Sequence, residues 1–117
     1  MDTVKINTQG TAQLIAHRGL SGLETENTAA AFVAAGNRSY FGIETDIWRT
    51  ADGKFICIHD GRTGRLCGED VVIEDAPFDK LRGLVLRDID GAYRNDLRLC
   101  NPSEYRKICE RYGKVCV

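Results

Sequence analysis

Histidine is scarce in this chain: 117 residues hold two, His17 and His59. Imidazole proton chemistry near neutral pH must therefore use one or both of them. Cysteine occurs five times, at Cys57, Cys67, Cys100, Cys109 and Cys116, but never as a C-x-x-C pair. An odd count without that spacing argues against a zinc site or a full disulfide framework, and fits reduced thiols in a cytoplasmic protein. Neither sign of charge is in excess, with 16 Lys and Arg against 17 Asp and Glu. With no basic stripe and no aromatic-interleaved run, long-range attraction to nucleic acid or anionic membrane is excluded, so affinity for a phosphate would have to be local. Long apolar runs are absent as well. The longest, Ala29 to Ala35, is far short of the ~20 residues that span a bilayer, and Met1 to Lys5 lacks a signal-peptide pattern. There is no internal repeat and no low-complexity segment. Length sets one domain as the upper limit, and 43% apolar with 28% charged residues marks a soluble globular chain with a small core.

What is present is concentrated in four islands: His17-Arg18-Gly19, Glu26-Asn27-Thr28, Glu44-Thr45-Asp46 and His59-Asp60. Three of them follow short apolar runs (Leu14 to Ala16, Phe41 to Ile43, Phe55 to Ile58), which places polar groups at strand ends, where α/β architectures gather their chemistry. Residues Met1 to Gln13 form a polar lead-in with a short strand expected at Val4-Lys5-Ile6. Asn27 is the expected cap of an alanine-rich helix over Thr28 to Asn37, with Phe32 as its apolar anchor. Tyr40 to Arg49 reads as one strand, on which Glu44 and Asp46, two positions apart, share a face.

Thr50-Ala51-Asp52-Gly53 is a turn into a strand over Lys54 to Ile58. A hairpin with an Ala51-Asp52 loop sets Glu44 opposite His59, and one with an Asp52-Gly53 loop sets Asp46 there. An extended parallel return also ends His59 at the same rim. Residues 61–99 are irregular, with a strand expected at Val71-Val72-Ile73 and a short helix near Pro77 to Arg82, and read as an inserted subdomain. Asn101 as cap, Pro102 at the first position, Glu104 in a capping box and Gly113 as stop define a last helix. Its apolar face, Tyr105, Ile108, Cys109 and Tyr112, needs a sheet to cover.

From about Leu14 onward the chain resembles the amino-terminal part of the glycerophosphodiester phosphodiesterase family. The likeness is carried by His17-Arg18-Gly19, Glu26-Asn27-Thr28, Gly42-Ile43-Glu44-Thr45-Asp46, Thr50-Ala51-Asp52-Gly53 and His59-Asp60. The resemblance implies an α/β fold, a partial (β/α)8 TIM barrel of the phospholipase C type, truncated after its first few strands, since a full barrel takes about 250 residues. Family members place a further acidic metal ligand, in a Glu-x-Lys element, on the strand after a helix like Pro102 to Tyr112. Here the chain ends at Lys114-Val115-Cys116-Val117, where that strand would begin.

The implied reaction is metal-dependent hydrolysis of a small-molecule glycerophosphodiester to sn-glycerol 3-phosphate and an alcohol. A phosphodiester anion repels nucleophiles and has a poor leaving group, so a site needs a cation and a proton donor. His17 and His59 are the expected proton carriers, with two ordinary strand-end histidines as the alternative. Glu44 and Asp46 are the expected ligands of a divalent metal, Mg²⁺ or Ca²⁺, against a solvated strand face. Arg18 is expected to grip the phosphate. Glu26 either supports the site or favours the helix N-terminus, and Asp60 orients His59 or the metal shell. Little or no turnover is expected of this length of chain alone, and unpaired sheet edges favour self-association. A non-catalytic phosphate- or metal-binding assembly module and a related phospholipase-type phosphodiesterase are the alternatives.

Overall fold

The computed structural model describes residues 12–117; the strand expected at Val4-Lys5-Ile6 lies outside them. In chain order the elements are β1 (Ile15–His17), α1 (Ala29–Gly36), β2 (Gly42–Glu44), β3 (Ile47–Arg49) and β4 (Phe55–Cys57). A 3₁₀ turn (Ile73–Asp75), α2 (Phe78–Arg82), β5 (Leu86–Arg87), β6 (Tyr93–Arg94), α3 (Pro102–Tyr112) and β7 (Val115–Cys116) follow.

Three strands make a parallel sheet in the order β1-β2-β7. β1 and β2 pair with Ile15 beside Gly42, Ala16 beside Ile43 and His17 beside Glu44. Parallel neighbours need a crossover, supplied by α1 between the first two and by the long path through α3 before the third. Among the described residues this sheet does not close into a barrel.

The helices form for local reasons. At α1 the cap is Thr28 rather than Asn27: the Thr28 hydroxyl accepts from Ala31 N at 3.3 Å and donates to Thr25 O at 2.7 Å. Asn27, equally suited by type, is instead fully buried in a left-handed conformation, φ 57°. α3 follows the sequence closely, with a reciprocal Asn101/Glu104 capping box and Gly113 as the left-handed stop. Its Tyr105 and Cys109 are buried, and Tyr105 stacks obliquely on the fully buried Phe32 of α1 at 5.0 Å between ring centres. The face expected to need a sheet thus packs on a helix as well. Close approach of α1 and α3 depends on Gly36, where a Cβ would lie 2.6 Å from the Tyr112 ring. The Tyr105 hydroxyl reaches beyond the helices, donating to the Ile43 carbonyl on β2 and accepting from Val117 N.

Tyr40 to Arg49 is not one strand. It breaks at Thr45-Asp46, because β2 belongs to the parallel sheet and β3 to an antiparallel hairpin with β4. Strand alternation therefore no longer sets the relative directions of Glu44 and Asp46. The hairpin itself is real, but its register is neither of the two counted: Ile47 pairs Cys57 and Arg49 pairs Phe55. Thr50 N bonds Lys54 O, leaving a three-residue loop closed by Gly53 at φ 78°, a conformation that favours glycine.

Alternation along β4 divides two cores. Cys57 faces the helix side with Ala16, Phe32 and Ile43, whereas Ile56 and Ile58 join a second cluster with Ile73, Leu81, Leu86 and Leu99. Residues 61–99 supply most of that second core. Their helix falls where expected, but the strand expected at Val71-Val72-Ile73 reduces to one bridge between Arg62 and Val72. The Thr63 hydroxyl takes Val71 N, and Ile73 already begins the 3₁₀ turn, so no ladder extends.

Candidate functional site

β1 ends at His17, and the chain then turns through two consecutive left-handed residues, Arg18 at φ 59° and Gly19 at φ 77°. Gly19 has no alternative, since a Cβ would stand 2.7 Å from the backbone of Ala31. The turn brings Arg18 N to Glu44 Oε1 at 3.1 Å, and His17 Nε2 lies 3.7 Å from the same oxygen. Parallel register puts these residues at neighbouring strand ends; the sequence suggested the strand ends but not which strands are neighbours.

From Glu44 a run of contacts crosses the molecule. Arg18 Nη1 donates to Glu26 Oε2 at 3.0 Å. Glu26 also receives a bidentate pair from Arg65, at 2.6 and 2.9 Å, and Arg65 Nε donates to Asp60 Oδ2 at 2.8 Å. Asp60 Oδ1 lies 2.8 Å from His59 Nδ1. Trp48 Nε1 donates to the His59 carbonyl at 3.0 Å, fixing the backbone from the hairpin side.

These bonds set the charges. The Arg65 hydrogen bonds hold the Glu26 carboxyl below its ordinary range against the opposing effect of burial, with help from Arg18. Asp60 is held down by Arg65 and then by His59. Arg65 in turn is pushed up by bonding to Glu26 and Asp60.

Asp46 sits in the break between β2 and β3. Its carbonyl accepts from Ile58 N at 2.9 Å, while its Oδ2 is buried with no hydrogen-bond partner. Arg18 Nε and Asn27 Nδ2 are orphaned in the same way, and Thr45, the residue before Asp46, donates to Asn27 Oδ1 at 2.8 Å. Buried polar atoms without partners are uncommon and ask for a ligand, an ion or water. Along the run, the carboxylates of Glu44, Glu26 and Asp60 meet the guanidinium groups of Arg18 and Arg65 or, for Glu44, the Arg18 backbone amide, and the unpartnered Asp46 oxygen lies one residue beyond Thr45 in the same turn. Carboxylate oxygens are the donor type that a hard divalent cation takes. Yet among the described residues no three His, Cys, Asp or Glu side chains gather as a metal site.

The structure thus joins His17 to Glu44, Glu44 to Arg18, Arg18 to Glu26, and Asp60 to His59. Arg18 spends Nη1 on Glu26 and is largely buried at 19% exposure. Sequence reasoning missed Arg65 and Thr45 and left Trp48 unassigned. An open cavity of about 570 Å³, lined by Trp48, His59, Asp60, Gly61 and Arg65 among others, adjoins the second histidine.

The glycerophosphoryl diester phosphodiesterase family model matches residues 17–107. The chain belongs to this family. A glycerophosphodiester phosphodiesterase from Bacillus altitudinis is 34% identical over 70 residues, which are 60% of this chain and 29% of that protein. Among solved structures, an Oleispira antarctica phosphodiesterase in complex with the product sn-glycerol-3-phosphate superposes with a TM-score of 0.79 at 27% identity, covering 90% of this chain and 42% of that one. The glycerophosphodiester phosphodiesterase of Thermotoga maritima gives 0.76 at 29%, covering 93% and 43%. These phosphodiesterases are TIM barrels, and the described sheet and helices correspond to part of such a barrel. The chain spans 29% of the length of the curated Bacillus relative it matches. No described helix is long and apolar enough to cross a membrane.

Proposed function

We propose that the chain carries the histidine and acidic residues of a phosphodiesterase that hydrolyses glycerophosphodiesters to sn-glycerol 3-phosphate and an alcohol. The observation that carries the reading is the run of contacts that starts with His17 beside Glu44, passes through the Arg18 backbone amide and side chain to Glu26, and continues through Arg65 and Asp60 to His59, within a member of this family. His17 and His59 move protons, one to the alcohol as its bond to phosphorus breaks and one from the water whose oxygen replaces it on phosphorus over the whole reaction. Arg18 is oriented by Glu26 and presents its remaining guanidinium edge to phosphate.

Glu44 and Asp46 are the residues that would hold Mg²⁺ or Ca²⁺, Asp46 through its unpartnered buried oxygen. When bound, such a cation neutralises phosphoryl oxygens and stabilises charge on the alkoxide. Free thiols at all five cysteines fit the cytoplasm. The outer edges of β1 and β7, flanked by the exposed Leu14, Ile15, Val115 and Val117, favour self-association.

The test is release of alcohol from glycerophosphodiesters of varied head group, with Mg²⁺ or Ca²⁺ and with chelator. The 117-residue chain alone is expected to turn over little, and a longer form that completes the barrel to hydrolyse in a chelator-sensitive way. Hydrolysis by the longer form that is indifferent to chelator and to loss of both histidines would overturn the proposal. One second reading is a metal- or phosphate-binding module without turnover, since among the described residues no three His, Cys, Asp or Glu side chains gather in one place. Metal binding by titration, with no hydrolysis by the longer form, would establish it.

A further inference from the structure

His59 is 43% exposed, so packing alone does not fix its ring. Asp60 is 37% exposed and, held at one oxygen only, would swing with the imidazole. Arg65 removes that freedom. Its Nε holds Asp60 Oδ2 at 2.8 Å while Oδ1 of the same carboxylate faces His59 Nδ1, also at 2.8 Å. The other two nitrogens of the fork are anchored on Glu26, whose side chain is 12% exposed and is also gripped by Arg18. A carboxylate only accepts, so the proton belongs on Nδ1, and Nε2 is the nitrogen left for a reacting group.

We infer that Arg65 is a positioning residue, whose forked guanidinium orients His59 through Asp60 while bracing Glu26 against Arg18. The inference rests on the reading of His59 as a proton carrier. It gives a reason for an arginine at the root of the irregular segment: contact with two carboxylates along two directions requires a planar, multidentate cation. A lysine ammonium is a point charge and serves one of the two.

The experiment is ring ¹⁵N NMR of His59 in the 117-residue chain at about pH 8, above the ordinary histidine range. The wild type is expected to show mainly the Nδ1–H form. Arg65→Gln is expected to lower that fraction about twofold or more, because the tautomer follows the bond made by the other nitrogen. Arg65→Lys should fall between the two. Asp60→Ala should reproduce the loss, and adding Arg65→Gln to it should change nothing further. Amide spectra report whether each variant keeps its fold, and Arg65→Lys, which retains the charge, serves if Arg65→Gln does not. An unchanged ring pattern in the folded Arg65 variant, or a loss in Arg65→Gln with none in Asp60→Ala, overturns the inference. No phosphodiester enters the measurement, so absence of turnover would sink the proposed reaction and leave this result standing, and the reverse also holds.

Discussion

Asp46→Asn separates a structural carboxylate from one kept for a cation. The side chain is nearly isosteric, and the backbone is held by Ile58 N on the Asp46 carbonyl at 2.9 Å, so the substitution changes charge with little change in shape. In the wild type, Oδ2 is buried without a partner. An unsatisfied buried acceptor costs about 1–3 kcal/mol, more when charged, and a neutral amide avoids the ionic part. Without metal, Asp46→Asn is therefore expected to be more stable by about 1 kcal/mol, or about 4 °C in a domain of this size.

Saturating Mg²⁺ or Ca²⁺ reverses the order. At a hundred times its Kd a ligand that binds only the folded state adds about 2.7 kcal/mol, and the variant should lose most of that gain. Urea unfolding with chelator and then with excess cation measures both effects, with the wild-type Kd taken from calorimetry. A variant less stable than wild type under chelator, yet stabilised by cation to the same degree, would refute the reasoning.

Phe32→Ala empties the centre of the core between α1, α3 and β2 and is expected to cost about 3–5 kcal/mol in urea denaturation, enough to unfold much of the population. Acid should weaken the fold through Glu26. Its folded pKa lies below the ordinary 4.5, so the stabilisation is fully present above that value and is lost as pH falls through the lower folded one. Asp60 acts in the same direction below its ordinary 3.8. Unfolding curves from about pH 6 to pH 3 should show a shallower decline for Glu26→Gln than for the wild type.

What could be read from the chain was what local chemistry determines. Asn101, Pro102, Glu104 and Gly113 sit within one helix and specify both its ends, and that helix matches residue for residue. The placement of His17 and Glu44 at strand ends also emerged, because apolar runs stop just before them, whereas the pairing of the two strands came from the structure. The break at Thr45-Asp46 did not. Alternation shows that a stretch is extended but not which neighbour each half will pair with, and here β2 and β3 choose different sheets. The hairpin register failed for a related reason: both readings assumed a two-residue loop, and Gly53 in a left-handed conformation closes one of three. Arg65 was invisible because its partner Glu26 lies 39 residues away, and a long-range ion pair inside an irregular segment has no period to betray it.

Tyr105 gives the outer helix a hold on the interior. Its hydroxyl clasps the carbonyl of Ile43, the residue directly before Glu44, and the amide of Val117. The phenolic oxygen thereby ties α3 to the strand that carries Glu44, beside the packing of that helix on α1. Tyr105→Phe, remote from any reacting atom, is therefore expected to loosen the stretch just before Glu44, and a survey of variants confined to the cleft would overlook it.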